Sequence, residues 1–434
     1  MTDRPLRFDT LKVRGGYDPA EHGGSVQVPI YQTAAFDLGD PERVERLLGF
    51  EERGFTYSRM GNPTVAALEA RMAALDGATG AVAVASGRAA VSNALLNVTE
   101  GGGRLLTTRH LYGGTAEALR RIFPGFGVQV DHAAEVDDAG SFARAVRPDT
   151  RAIFVESLSN PHADVADVAG IAAVAHAHGL PLIVDNTFAT PYLLRPIEHG
   201  ADVVVHSATK GLSGSGSTIA GVITESGRFD WANGRFPQFT EPLHLLRGRG
   251  GAERGFVDVA PAVPFTLRIR LTHLACLGGV LGPHDAYLVL LGLETLSERV
   301  AKQVATTRRI VTHLEQHEHV AWVRHPSATG SPSAALAARY LPRGAGSMLS
   351  FGLRGTVEQS LALIRATRVF GYQANVGDAR SLIVNPARTT HSELTPAELA
   401  AAGIAPETLR LSIGLEDPDD LIADLDQAIA SAIG

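Results

Sequence analysis

Of the 39 lysines and arginines in this chain, only Lys12, Lys210 and Lys302 are lysines. Arginine serves wherever a plain positive charge suffices. Lys12 lies near the N-terminus, and Lys302 falls in the charged helical stretch Leu296–Ile310, which reads as solvated surface. Lys210 differs. It follows the apolar run Asp202–Thr209 and precedes the glycine- and serine-rich loop Gly211–Gly216. Arginine stays protonated, whereas lysine can lose its proton and form a Schiff base. A lysine at a strand end, beside small residues that admit a ligand, points to covalent amine chemistry.

Asp185 ends the run Pro181-Leu182-Ile183-Val184. A carboxylate there is costly to bury unless it meets a cation or several donors. A protonated pyridine nitrogen is such a cation, and the pairing makes the ring a better electron sink. A plain turn started by Asp185 accounts for it about as well. Gly87, between Ser86 and Arg88, opens a helix and offers N–H groups to an anion. Ser86 alone reads as an N-cap. Ser207 and Thr209 add hydroxyl donors. Tyr57 and Arg59, in an extended segment, either reach a phosphate on another subunit or are ordinary surface. Tyr112, beside Gly113 and Gly114, offers a ring for stacking on a planar cofactor, or is a half-buried aromatic. The loop Gly211–Thr218 is not a nucleotide P-loop, because its lysine precedes the glycines. The 16 histidines show no metal-binding motif, so no metal is expected. His176 and His178 face different ways on a helix, and His317 and His319 lie in a polar stretch.

These residues need a scaffold that gathers them. From Asn62 onward, short β-rich runs alternate with helical stretches. The runs are Ala81–Ala85, Arg104–Thr108, Gly127–Val130, Ala152–Glu156, Leu182–Asp185, Val203–His206 and Ile219–Thr224. The helical stretches include Pro63–Leu75, Arg88–Val98, Thr115–Phe123 and Val165–Ala177. Such alternation implies a mostly parallel sheet covered on both faces, with ligands beyond the carboxyl ends of its strands. Ser86, Asn160, Asp185 and Lys210 all follow or end predicted strands, so they can share one site. Residues 1–61 lack periodicity and read as an arm that needs another surface. Residues 225–270 break the rhythm and read as a long, mobile loop. A helical segment runs from Leu271 to about His317 with a break at Gly282-Pro283. A smaller α/β unit then holds runs at Val320–Val323, Met348–Gly352, Ser381–Val384 and Leu409–Ile413 and a last helix at Ala423–Ile433. The expected division is an arm at 1–61, a large domain at 62–282 and a small domain at 283–434.

At 434 residues the chain is long enough for two sizeable cores. A net charge of −7 argues against nucleic acid as a partner. The single cysteine, Cys276, excludes an intrachain disulfide and fits a reducing cytoplasm. The N-terminus lacks an apolar signal core, and no run suggests a membrane span.

Taken together, these segments resemble the Cys/Met-metabolism family of pyridoxal-phosphate enzymes. The resemblance rests on Tyr57-Ser58-Arg59 with Asn62-Pro63-Thr64, on Leu111–Thr115, on Val184–Pro191 and on His206–Lys210. Gly292–Leu296, Ala374–Asp378 and Arg410–Asp417 continue it in order along the chain. Within the family the chain looks most like the O-acetylhomoserine sulfhydrylases. This likeness implies an α/β structure of PLP fold type I, aspartate-aminotransferase-like, with a mostly parallel seven-stranded large domain and a smaller C-terminal domain. It implies pyridoxal 5'-phosphate held by Lys210, with Asp185 on the pyridine nitrogen and Tyr112 on the ring. It assigns the phosphate to Ser86, Gly87, Arg88, Ser207 and Thr209, joined by Tyr57 and Arg59 of a neighbouring subunit in a homotetramer with shared sites. Arg410 would clamp the substrate carboxylate, Tyr57 would also approach the substrate, and Asn160 and Asn375 would orient cofactor and substrate. The implied reaction is γ-replacement on O-acetylhomoserine by sulfide or a thiol, in methionine biosynthesis. The alternatives are a γ-lyase, or replacement with another ester or nucleophile in specialised metabolism. Methionine γ-lyases carry a cysteine where this chain has Gly114. Arg88, Ser215, Asn385 and Arg388 depart from the sulfhydrylase pattern, and the two arginines suggest a larger anionic ester.

Overall fold

The computed structural model describes residues 6–248 and 251–434. Met1 to Pro5, part of the N-terminus considered above, and Arg249-Gly250 of the Arg-Gly stretch lie outside the described residues. The first sheet holds β1 (Gly80–Val84), β2 (Gly103–Thr107), β3 (Val128–His132), β4 (Thr150–Glu156), β5 (Leu182–Asp185), β6 (Val203–Ser207) and β7 (Gly221–Glu225). Their spatial order is β1-β7-β6-β5-β4-β2-β3. Only β7 runs against its neighbours. β4, β5 and β6 are buried along almost their whole length. That burial matches their continuous apolar runs, as a sheet covered on both faces requires.

Helix Gly87–Thr99 packs on one face, and Pro63–Asp76 and Val168–Ala177 serve the other. Helix Pro63–Asp76 carries its own punctuation. Asn62 accepts a hydrogen bond from the Thr64 N–H at 3.0 Å, Pro63 takes the first turn, and Gly77 ends the helix at φ 71°. Because β7 returns antiparallel to β6, segment 208–220 must turn back at the carboxyl end of β6. That turn carries Lys210.

A second, antiparallel sheet is ordered β10 (Leu382–Val384), β11 (Leu409–Ser412), β9 (Met348–Leu353), β8 (Val320–Arg324). Its core joins Leu349, Phe351 and Leu411 to Ile310 of helix Leu296–Gln316 and to Leu425 of helix Pro418–Ile433. No helix among the described residues is long and apolar enough to cross a membrane.

Three expectations are corrected. The N-terminal segment is not simply extended, because Phe8–Arg14 is a helix whose Phe8 is buried in the large core. Phe8 and Leu11, three residues apart, supply the apolar stripe. Lys12, far from a free terminal charge, is buried and paired with Glu298. The described residues between 225 and 270 include short helices around buried Trp231, Phe236, Phe239 and Phe265. Glu225 anchors this unit, accepting from the Trp231 indole at 3.2 Å and the Phe265 and Thr266 N–H groups at 3.1 and 2.9 Å. The aromatics follow neither helical nor strand period, so periodicity cannot find them. Lastly, the helix expected from Val165 starts at Val168, where Asp167 caps it, while Val165 bridges to Leu158.

Behind β6 lies a fully buried pair. His206 Nε2 and Asp76 Oδ2 are 2.9 Å apart, and the Thr224 hydroxyl donates to the same oxygen at 2.8 Å. The contacts tie a helix end to β6 and β7. Burial opposes the imidazolium, but Asp76 outweighs it and raises the His206 pKa. A raised folded pKa means the stabilisation is complete below about pH 6.5. It fades as pH rises through the folded value. We expect His206→Ala to cost about 3–5 kcal/mol by denaturant unfolding, since it strands a buried carboxylate. The deficit should narrow at alkaline pH. A loss under about 1 kcal/mol, or one independent of pH, would show the pair to be dispensable.

Candidate active site

The carboxyl edge of the large sheet and one edge of the small unit enclose a cavity of about 390 Å³. Ser86, Gly87 and Arg88 enter from the turn after β1, and Asp185, Ser207, Thr209 and Lys210 from β5 and β6. Tyr112 and Asn160 come from the loops after β2 and β4, and Asn375 and Arg410 from the small unit.

The start of helix Gly87–Thr99 is pressed against β6. A Cβ on Gly87 would lie 2.4 Å from the Ser207 Cβ and 2.7 Å from its Cα. Only glycine permits that approach. The Ser86 hydroxyl caps the Ala89 N–H at 3.1 Å. The first-turn N–H groups of a helix have no intrahelical partner and so remain suited to an anion. Ser207 and Thr209 line the same corner. The Tyr112 ring is 40% exposed beside this corner, and its N–H donates to Glu156 Oε1 at 2.6 Å. A Cβ on Gly114 would meet the Tyr112 ring at 2.8 Å, and one on Gly113 would strike the Thr390 carbonyl at 2.1 Å. The two glycines therefore let the ring fold back and the loop press on the small unit.

Two cations share the opposite wall. Lys210 Nζ donates to Asn375 Oδ1 at 2.6 Å. Burial, then the positive charge of Arg410, lowers its pKa to about 8. Arg410 is 1% exposed. Its Nη1 donates to Asn160 Oδ1 at 3.1 Å and its Nη2 to the Asn375 carbonyl at 3.0 Å. Its Nε is buried with no partner among the described residues, and no acidic side chain among them pairs with it. Burial lowers its pKa to about 10, so it stays charged at neutral pH. A buried guanidinium without a counter-ion, lining a cavity, is suited to an anionic ligand.

Asp185 Oδ1 accepts from the Thr187 N–H and hydroxyl at 3.0 and 2.5 Å. Burial raises its pKa. Glu156 stands in register with it on β4, and burial and then Asp185 push Glu156 well above the usual range. Two such carboxyls do not both ionise cheaply. The site thus offers one carboxylate that a buried cation would stabilise.

Tyr57 and Arg59 are not brought to this cavity. Both are exposed, with the Arg59 guanidinium 5.5 Å from the Tyr57 ring. Of the four residues that depart from the sulfhydrylase pattern, only Arg88 lines the cavity. Arg388 is exposed, 4.0 Å from Glu358. Asn385 is buried and caps the turn Pro386–Arg388, and Ser215 bonds Ser217 at 2.7 Å. The suggestion that Arg388 favours an anionic ester therefore loses its geometric basis. Sequence reasoning passed over Glu156, Thr187 and Glu393, which also line the cavity. Glu156 ends a strand that periodicity finds, and Thr187 is two residues beyond Asp185. Glu393 gives no local signal.

Residues 9–430 match the family model described as Cys/Met metabolism PLP-dependent enzyme. The chain is 41% identical over 432 residues to sulfhydrylase FUB7 of Gibberella moniliformis, covering 98% of each. It is 39% identical to the O-acetyl-L-homoserine sulfhydrylase of Leptospira meyeri, across 98% of this chain and 97% of that one. A crystal structure of a putative O-acetylhomoserine (thiol)-lyase from Campylobacter jejuni superposes with a TM-score of 0.93 at 36% identity. That alignment covers 98% of this chain and 100% of the other, which contains a pyridoxyl-lysine phosphate. Together with a buried lysine of lowered pKa, a buried carboxyl and a close-packed helix start lining one cavity, these matches establish that the chain belongs to the Cys/Met metabolism family of enzymes and that its cofactor is pyridoxal 5'-phosphate.

Proposed function

We propose that this enzyme replaces the acetate of O-acetyl-L-homoserine with sulfide or a thiol, giving homocysteine or methionine. The observation that carries the reading is Arg410, buried without a counter-ion beside a lysine whose pKa is lowered to about 8. That pair suits an amino-acid carboxylate held next to a proton-transfer group. The sulfhydrylase relatives supply the ester.

The residues present fit pyridoxal phosphate. Gly87 leaves no room for a side chain at the helix start, and Asp185 is a buried carboxyl suited to a cationic ring nitrogen. When bound, the cofactor supplies a carbonyl for an amine and a ring that accepts the electron pair left at Cα. Under this reading Lys210 Nζ holds the cofactor, then takes the Cα proton and moves protons at Cα and Cβ. Asp185 would hold the ring nitrogen in its charged form, and Tyr112 would stack on the ring. Ser86, Gly87, Arg88, Ser207 and Thr209 would hold the phosphate. Arg410 grips the substrate carboxylate, and Asn160 and Asn375 hold Arg410 and Lys210 in place. The Cγ–O bond breaks with its electron pair leaving on acetate, and a sulfur lone pair forms the Cγ–S bond.

Tyr57 and Arg59, exposed and away from their own cavity, complete the phosphate site of a neighbouring subunit, and Tyr57 also approaches its substrate. This gives a dimer with shared sites, paired into a homotetramer. The enzyme works in the cytoplasm.

Three outcomes are expected. Purified, cofactor-loaded enzyme given O-acetyl-L-homoserine should form homocysteine only when sulfide is added. Dominant 2-oxobutyrate with or without sulfide would instead make it a γ-lyase. Arg410→Lys should lower kcat/KM for the ester at least about thirtyfold, the effect of a lost buried charge contact worth 2 kcal/mol or more. The KM for sulfide should stay put, and an unchanged ester KM and kcat would remove the carboxylate role. Finally, the rate at which the apo chain takes up the cofactor should rise as pH passes about 8, where Lys210 loses its proton, and then level off. A flat profile followed by absorbance would contradict this.

A further inference from the structure

Histidine spacing along the chain shows no metal motif, yet the fold gathers three ligand-type side chains from two loops. His110 follows β2, two residues before Tyr112. His162 and Asp164 follow β4, just beyond Asn160. One ring nitrogen from each histidine and one Asp164 oxygen lie within 4.8 Å of one another. His110 Nδ1 is 2.8 Å from Asp164 Oδ2, and the two imidazoles stack with centroids 4.3 Å apart.

His162 is the informative member. It is 6% exposed, and its Nε2 meets the Gly403 carbonyl at 3.3 Å. That contact places the ring proton on Nε2 and leaves the lone pair on Nδ1. Nδ1 is buried with no partner among the described residues. An acceptor so stranded has lost its water without a hydrogen bond to replace it. Metal-binding histidines commonly donate from one ring nitrogen to a carbonyl and keep the other for an ion. Burial, then His110, keeps His162 neutral with a pKa lowered to about 4, and neutral imidazole is the form that ligates. Burial works against the Asp164 carboxylate, but the His110 hydrogen bond holds it below its usual range. It also accepts from the Ser159 hydroxyl at 3.1 Å. Arg324, which donates to the same Gly403 carbonyl at 3.1 Å, opposes a cation here, and the Asp164 charge offsets it. The His110 and Asp164 side chains are 31% and 26% exposed, which opens the cluster to solvent.

We propose that His110, His162 and Asp164 form a binding site for one divalent transition-metal ion of the zinc class. Two nitrogens and one carboxylate oxygen, with water in the remaining position, suit Zn²⁺ or Co²⁺. Bonds of about 2.0–2.1 Å set the ligand atoms roughly 3.4 Å apart, so the 2.8 Å His110–Asp164 pair opens while the wider separations close. Because a ring lone pair lies in the ring plane, the partly exposed His110 ring must also turn out of its stack on His162 to bind the same ion. The ion takes the place of the hydrogen between His110 Nδ1 and Asp164 Oδ2, and that proton passes through solvent to His110 Nε2, so the neutral ring binds through Nδ1. Bound there, it ties together the loops that carry Tyr112 and Asn160. The site lies outside the cavity and does not depend on which ester or nucleophile the enzyme uses.

The test uses the holoenzyme, stripped with chelator and gel-filtered. Calorimetry with Zn²⁺ and the Co²⁺ difference spectrum should both report one saturable site per chain. His162→Ala and Asp164→Asn should each weaken it by more than about tenfold. If His162→Ala fails to fold, Asp164→Asn, checked by circular dichroism, decides alone. Absence of saturable binding, or equal affinity in the folded variants, overturns the site. So does loss of binding in His313→Ala, because His313 and His317, 2.6 and 3.8 Å from Asp426, form another histidine–aspartate group.

Discussion

Two cations buried side by side set the terms for this structure. Arg410 and Lys210 share one wall of a cavity, and neither has a carboxylate in contact. Burial disfavours both charges, and the repulsion between them adds to it. Arginine keeps its proton, whereas burial and then Arg410 lower the lysine's pKa to about 8. The neighbours are polar but neutral. Asn160 and Asn375 orient both groups without cancelling the charge that attracts an anion.

Holding that arrangement is a task for the whole chain. Lys210 sits on the turn forced by the antiparallel return of β7, and Arg410 sits on β11 of the other sheet. Asn375 bridges them, accepting from Lys210 through its side chain and from Arg410 through its carbonyl. The anion corner is set by a close approach, since Gly87 touches Ser207 where any side chain would collide. Behind β6, the Asp76–His206 pair pins the strand that carries Ser207 and leads into the turn of Lys210. Buried charge thus recurs on both sides of the sheet, balanced behind it and left unbalanced in front.

Much of this was legible in the chain. Continuous apolar runs located β4, β5 and β6, and alternation with helical stretches implied a parallel sheet. The strand ends then pointed to Asp185, Ser207, Thr209 and Lys210 as neighbours, and the cavity contains all four. What periodicity missed has physical causes. The aromatic unit at 225–270 folds by irregular side-chain packing around Glu225, which leaves no repeat to detect. Phe8–Arg14 is too short for its apolar stripe to stand out. Arg388 looked chemically available and is instead surface.

The sequence by itself determined the strands of the large sheet, the sheet class, the lone lysine at a strand end and the family. These depend on local pattern and on residue type, which the chain states directly. Only the tertiary structure decided which charges are buried together. The lowered pKa of Lys210, the unpaired Nε of Arg410, the carboxyl pair of Glu156 and Asp185 and the cluster at His162 all arise between segments distant along the chain. Burial and Coulomb interaction depend on distance in space, and nothing in a linear spacing encodes them.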